Sequence, residues 1–386
     1  MTFKLVIDLP RWQAHVDAYL AQRPWVVPVV KGDGYGIGAQ RVLEQCRRVA
    51  APLVACGTPA EAREALAALP ADTSVLVLFP TLPGAVAAET AETAERLSDD
   101  PRLVHTVASE ETVREIRGSG RRFVVEVDSP MGRHGIEWPR LTDLVTALQD
   151  PLCEGVALHN PPFGDRVGFV SSLLTRLGEL GVRVPRLFAS HLSSEEVGQL
   201  TGLAGDTAIL VRTGTDLWLG DPAALTAYGE VIDVHPVTKG RSIGYSQRAV
   251  RKDGWLAVVS GGTAHGVGIE TARPRMTPQL AARKAARAVL SQVGGAPSPF
   301  RLDGKRLPYL DVPHMQVSMV AVPSATAVRP GDWLPCDMRI TVTRFDAVEE
   351  QGRGLPGSEG SQGSEGSGDS EGSGDTGGAA AEVAAP

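Results

Sequence analysis

A lysine at the end of an apolar run, followed by a string of glycines, is the arrangement in this chain with the most chemistry in it. Lys31 closes the run Trp25–Val30 and opens the loop Lys31-Gly32-Asp33-Gly34-Tyr35-Gly36-Ile37-Gly38, after which a helical pattern begins. A lysine whose stem starts in a buried strand is partly desolvated, which favours the neutral amine, the form that can condense with an aldehyde. The glycines allow unusual φ angles and close approach of the backbone to a bulky ligand. Tyr35 adds a phenol at the edge of the same loop. Taken alone, the stretch fits equally an ordinary solvated lysine in a glycine-rich turn.

Short β-branched runs that alternate with helical patterns would position these groups. Candidate strands are Val26–Val30, Leu53–Cys56, Val75–Phe79, Leu103–Val107, Phe123–Asp128, Gly155–His159, Arg186–Ser190 and Ala208–Arg212. Between them lie stretches of 3.6-residue periodicity such as Ala39–Ala50 and Pro59–Leu69, the latter with Thr58 as its N-cap. Eight strands with intervening helices predict an α/β fold, a (β/α)8 barrel, with an open doubly wound sheet as the alternative. In a barrel the C-terminal strand ends form the functional rim, and here they carry Lys31, Glu126, Asp128, His159, His191 and Arg212. Each could be an ordinary satisfied polar residue; their convergence on one rim argues for a site.

Beyond about residue 225 the pattern changes. Val231–Val237, Gln247–Val250, Trp255–Ser260, Met315–Val322 and Met338–Phe345 read as strands, with one helical stretch near Pro278–Gln292. The expected organisation is a barrel over residues 10–225 and a mostly β domain over 226–348 that also takes in residues 1–9. A disordered Gly/Ser/acidic tail follows over 350–386, where low apolar content cannot offset the entropy of ordering. From Gln351 to Pro386 the chain carries six acids against the single base Arg353, hence −5 of the formal charge of −7, leaving the body near −2. A near-neutral body with no basic stripe gives no support for nucleic-acid binding. The longest apolar runs fall far short of the roughly 20 residues of a membrane helix. The four cysteines, Cys46, Cys56, Cys153 and Cys336, are scattered without a C-x-x-C pair, so no zinc site or disulfide framework is expected. The N-terminus lacks the pattern of a secretory signal, and a cytoplasmic protein is expected.

Several segments resemble one family. Val29-Val30-Lys31-Gly32-Asp33-Gly34-Tyr35-Gly36-Ile37-Gly38 is similar to the VVKANAYGHG signature of alanine racemases. There the lysine carries pyridoxal phosphate and the tyrosine binds its phosphate. Glu126–Gly135 is similar to the family's K-x-D-T-G-M-x-R-x-G segment, which makes Arg133 the residue that contacts the cofactor's phenolic oxygen and the substrate carboxylate. Gly155–His159 resembles G-I-x-T-H, whose histidine packs on the pyridine ring. Val211-Arg212-Thr213-Gly214 resembles V-R-x-G, whose arginine donates to the pyridine nitrogen and, being permanently charged, keeps that nitrogen unprotonated. The resemblance thus implies Lys31, Tyr35, His159, Ser194 (or its neighbour Ser193), Arg212, Gly214 and Thr215 as cofactor-binding residues.

Gly240–Tyr245 resembles G-x-x-V-S/G-Y and implies that Tyr245 is the second catalytic base beside Lys31. Racemisation needs a group on each face of a planar carbon, because one base alone tends to return the proton to the face it left. Positive charge from Arg212, relayed through His159, would help such a phenol act near neutrality. His314–Val320 matches C-M-D-Q-x-M-V in part and implies that the Met315 backbone N–H meets the substrate carboxylate. In this family Tyr245 and Met315 would serve the partner's barrel, so the resemblance also implies a homodimer.

The expectation is therefore a pyridoxal-phosphate-dependent amino-acid racemase, with L- and D-alanine as substrates. Glu126 stands where many relatives have a carbamylated lysine and is expected to keep an anion beside the neighbouring arginine. Thr263 replaces a tyrosine that narrows the substrate entrance, and only His265 nearby is large enough to refill the space. No counterpart of the family's last phosphate-binding tyrosine is found. Two alternatives remain: a pyridoxal-phosphate decarboxylase using the Cys336-Asp337 dipeptide, and a degenerate paralogue that binds the cofactor without turnover.

Overall fold

Eight apolar runs close into a ring. The computed structural model describes residues 2–84, 100–269 and 296–352. Strand β1 (Phe3–Asp8) stands outside the ring. Around it run β2 (Val26–Val30), β3 (Leu53–Cys56), β4 (Ser74–Val77), β5 (Leu103–Val107), β6 (Arg122–Glu126), β7 (Cys153–Ala157), β8 (Arg186–Ala189) and β9 (Ala208–Thr213). All are parallel, and β9 returns to β2 with Val26 opposite Val211 and Val27 opposite Arg212. The strands are buried on both faces, which is why they read as continuous apolar runs rather than as alternation. Val27, Val29, Ala55, Leu76, Val104, Val124, Ala157 and Phe188 meet in the barrel interior. Their outward neighbours pack on helices, Val54 and Val75 with Val42 and Ala62, and Val156 and Leu187 with Leu173 and Leu200.

The helix starts are written locally. Thr58 and Glu61 form a reciprocal capping box at the start of Pro59–Ala68, and Ser193 and Glu196 do the same for Ser194–Ala204. Such caps stop a helix from extending back into the loop that carries site residues.

The remaining strands form a mostly antiparallel β region. They are β10 (Leu225–Val237), β11 (Ser242–Ile243), β12 (Arg248–Ala249), β13 (Gly254–Ser260), β14 (Pro297–Leu302), β15 (Lys305–Pro308), β16 (Val317–Val322), β17 (Trp333–Cys336) and β18 (Ala347–Gln351). The long β10 pairs with β1 and β17 along its first half and with β13 along its second, the register shifting between Val231 and Asp233. β1 is gripped on its other edge by β18 in parallel. Phe3, Val259, Phe300, Val320 and Leu334 are buried together between these strands.

One expected strand is absent. Met338–Phe345 makes a single 3-10 turn, Ile340–Val342, and the ladder is built instead by Trp333–Cys336 and Ala347–Gln351. The β-branched content suits a strand, but Ile340 is used for packing: its carbonyl lies against Gly36 in the Lys31 loop, where a side chain would collide with it. Tertiary contact overrides strand propensity here. The helical stretch expected at Pro278–Gln292 and residues 353–386 of the expected tail lie outside the described residues, whereas Glu350 and Gln351, expected in the tail, are held in β18 by pairing with Ile7 and Asp8 of β1. No helix of the described residues is long and apolar enough to cross a membrane.

Candidate active site

The loop after β2 is a run of left-handed conformations. Gly32, Asp33, Gly34, Tyr35, Gly36 and Gly38 all have positive φ, which costs a glycine little and strains Asp33 and Tyr35. The Gly32 N–H donates to Glu61 Oε1 at 2.7 Å, tying the loop to the capping box of the next helix. Lys31 thereby leaves the strand in extended conformation, with its side chain at the barrel mouth. Crowding by protein atoms lowers its proton affinity, and the Arg133 and Arg212 charges lower it further, Glu61 acting in the opposite sense.

The mouth holds a cavity of about 820 Å³ lined by Lys31, Tyr35, Arg133, His159, Arg212, Gly214 and Thr215, among others. Tyr35 lies over Gly214 so closely that any side chain at 214 would run into the phenol. Burial, followed by the Glu61 charge, raises the Tyr35 pKa and keeps that phenol protonated.

Arg212 projects from β9 with only 6% of its side chain exposed, and Glu126 from β6 with 2%. Arg212 Nη1 donates to Glu126 Oε2 at 3.4 Å and Nη2 to the Leu158 carbonyl at 2.7 Å. Glu126 thus serves Arg212, whereas Arg133, also in the cavity lining, donates from its Nε to His134 Nδ1 at 3.2 Å. The anion expected beside an arginine is thus Glu126 beside Arg212, brought together because β6 and β9 face each other across the closed barrel, while Arg133 lies in the loop beyond β6. A buried guanidinium needs its paired anion, since an uncompensated charge there is costly.

His159 Nδ1 is hydrogen-bonded to Ser190 Oγ at 2.9 Å, and its carbonyl accepts from Ser129 Oγ at 2.6 Å. Burial pushes the imidazole down to about 3, with the Arg212, Arg133, His191 and Lys31 charges adding to it, so the ring is neutral at neutral pH. The expected relay from Arg212 through His159 is not the hydrogen-bond pattern seen: Arg212 is spent on Glu126 and Leu158, His159 on Ser190. The Ser194 expectation is also corrected. Ser194 begins a helix away from the cavity lining, Ser193 is used up as its N-cap, and the serine on the rim is Ser190. Ser190 was within reach as the last residue of an expected strand, and the rim also includes His134 and Thr213.

Tyr245 and Met315 are not in the lining of this cavity. Both stand on the β region, with 80% and 68% of their surface exposed. Tyr245 tips the hairpin of β11 and β12, where Ser242 pairs with Ala249 and Ile243 with Arg248. Its neighbours are laced by the backbone: Thr263 N–H donates to the His314 carbonyl at 2.8 Å and Ala264 N–H to the Met315 carbonyl at 2.9 Å. Cys336 and Asp337 are not in the lining of the cavity either. The Cys336 thiol is buried in the β core, which raises its pKa, and Asp337 is taken up by Arg301 and Arg306.

Residues 7–166 match the family model described as alanine racemase, N-terminal domain. Solved structures extend the likeness past that segment. Alanine racemase from E. faecalis superposes with a TM-score of 0.67 at 18% identity, covering 90% of this chain and 98% of that one. The enzyme from Bartonella henselae, with covalently bound pyridoxal phosphate, gives 0.65 at 16%, covering 91% and 99%. The one from the D-cycloserine producer Streptomyces lavendulae gives 0.63 at 21%, covering 87% of each chain. This chain has the alanine racemase fold. No curated protein matches it in sequence. Within this fold, the cavity at the barrel mouth and the exposed hairpin of β11 and β12 are two separate places on one chain.

Proposed function

We propose that this protein is a pyridoxal-phosphate-dependent amino-acid racemase acting on alanine or a similarly small amino acid, and that it works as a homodimer. The observation that carries the reading is the division of labour just described: Lys31, Tyr35, His159, Arg212 and Gly214 share one cavity, while Tyr245 and Met315 are held out from their own chain's cavity.

The residues present suit the cofactor. An amine with lowered proton affinity stands at a strand end, and Tyr35, Ser190, Thr213 and Thr215 bring hydroxyls to the same cavity. Lys31 would hold the cofactor covalently, Tyr35, Gly214 and Thr215 its phosphate, His159 the ring face and Arg212 the ring nitrogen. When bound, the chemistry it supplies is acidification of the Cα–H of an attached amino acid. Lys31 Nζ then moves a proton on one face of that carbon, and the phenolic oxygen of Tyr245 from the partner subunit does so on the other. Arg133 and the Met315 backbone N–H bind the substrate carboxylate. The neutral His159 packs without adding charge, and Glu126 holds Arg212 in place. The decarboxylase alternative loses its support, because Cys336 and Asp337 are committed to the core and to two arginines.

A chiral assay tests the reading. Protein loaded with pyridoxal phosphate should bring L-alanine and D-alanine separately to the same mixture of the two. Amine and carbon dioxide as products, or no turnover across a panel of small amino acids, would count against it. The dimer has its own test. Lys31→Ala and Tyr245→Phe proteins, each inactive, should regain part of the activity when subunits exchange, since one hybrid site then has both bases. An active monomer at assay concentration would exclude the shared site.

Substrate size turns on Thr263. His265 does not refill the space left by a smaller residue there. It is buried, with Nδ1 accepting the Gly262 N–H at 3.2 Å, Nε2 3.3 Å from Asp346, and its ring 5.3 Å from that of Phe3. We therefore expect serine and slightly larger side chains to be accepted beside alanine. Thr263→Tyr should shift the kcat/KM ratio toward alanine by about tenfold or more, the worth of one methylene-sized difference in an apolar pocket. Equal ratios in both proteins would remove position 263 from specificity.

A further inference from the structure

We propose that His314, held by the buried carboxylate of Asp311, is a positioning residue for Tyr245, its imidazole being the surface against which the phenol ring is set. The inference rests on the reading of Tyr245 as the second base. It starts from a difficulty: a side chain 80% exposed at the tip of a hairpin has nothing on most sides to hold it. Proton transfer, by contrast, needs the phenolic oxygen at one place. The ring contact that Tyr245 does make is with His314, at 4.3 Å between centroids and a 46° tilt.

Asp311 organises both partners. Its side chain has 0% exposure. It accepts from the Tyr245 N–H at 2.6 Å, from the Ser246 N–H at 3.3 Å and from His314 Nε2 at 3.1 Å, and it also takes the Ser246 hydroxyl. Burial opposes its ionisation, but bonds from Ser246, His314 and the Tyr245 and Val312 N–H groups outweigh burial and hold the carboxyl at about 2. Gly244 completes the cradle: its φ is +67°, and a side chain there would strike the Asp311 carboxylate. One anion therefore fixes the backbone beneath the phenol and the imidazole beside it. The Thr263 N–H, donating to the His314 carbonyl at 2.8 Å, steadies the histidine from behind.

The test uses the holoenzyme labelled with 3-fluorotyrosine. The chain has five tyrosines, so the Tyr245 resonance is identified as the one missing from Tyr245→Phe. His314→Gln keeps a donor for Asp311 but loses the ring; Asp311→Asn keeps the shape but loses the charge. Each should move the Tyr245 resonance toward that of free fluorotyrosine and leave the other four in place. Each should also lower kcat by about ten- to a hundredfold, the cost of a small misplacement of a catalytic group, with KM nearly unchanged. Placed on Tyr245→Phe, neither substitution should lower kcat further, as expected for residues that act through one group. An unmoved resonance with wild-type kcat, or an equal loss in the Tyr245→Phe background, overturns the proposal. If the resonance moves but Tyr245→Phe racemises normally, the positioning stands and the catalytic reading of Tyr245 falls.

Discussion

Lys31→Ala is expected to yield a folded protein that no longer holds pyridoxal phosphate covalently and has lost racemisation by at least about four orders of magnitude. The size follows from what one side chain does: it is both the covalent anchor and one of two proton-transfer groups, each such group being worth about 10²–10⁴. Folding should survive, because alanine keeps the Cβ that faces Gly57 and the amine contributes to no apolar cluster. Wild-type protein loaded with the cofactor should show a visible absorbance band that borohydride reduction removes, with the adduct on the peptide containing Lys31. An alanine variant that keeps both the band and the adduct would refute Lys31 as the anchor. The lowered proton affinity of Lys31 has a direction as well: more of it is neutral at a given pH than of an ordinary lysine, so cofactor capture should begin at lower pH than for a free lysine.

Tyr245→Phe should behave differently. The phenol stands outside its own chain's cavity, so the absorbance band and the affinity for the cofactor should match wild type while kcat falls by about two to four orders of magnitude. The substitution removes a single oxygen from an exposed side chain and leaves the ring to rest on His314, so stability should be unaffected. Steady-state racemisation in both directions, together with thermal unfolding, measures this. Near-wild-type turnover would take Tyr245 out of the mechanism, and a large drop in unfolding temperature would mean that the loss of activity came from the fold.

The barrel and its lysine were legible from the residues themselves. Parallel strands buried on both faces leave unbroken apolar runs, and eight of these at regular spacing have few other ways to bury themselves. Local chemistry was legible for a similar reason. Thr58 caps a helix through contacts that span three residues, and Lys31 sits where its strand must end. What only the tertiary structure decided were pairings across the ring and between loops. Glu126 takes Arg212 because barrel closure brings β6 and β9 face to face over 86 positions of sequence. Ser190 rather than Ser194 reaches the rim because the helix claims Ser193 and Ser194 for its first turn. Ile340 leaves the ladder to sit on Gly36, and His265 turns inward to Phe3 and Asp346. Asp311 carries no signature at all, since its role depends on the turn around Tyr245 meeting its own loop at one carboxylate. Periodic burial is written along the chain; which polar groups meet is decided by closure, which brings together residues that no local pattern connects.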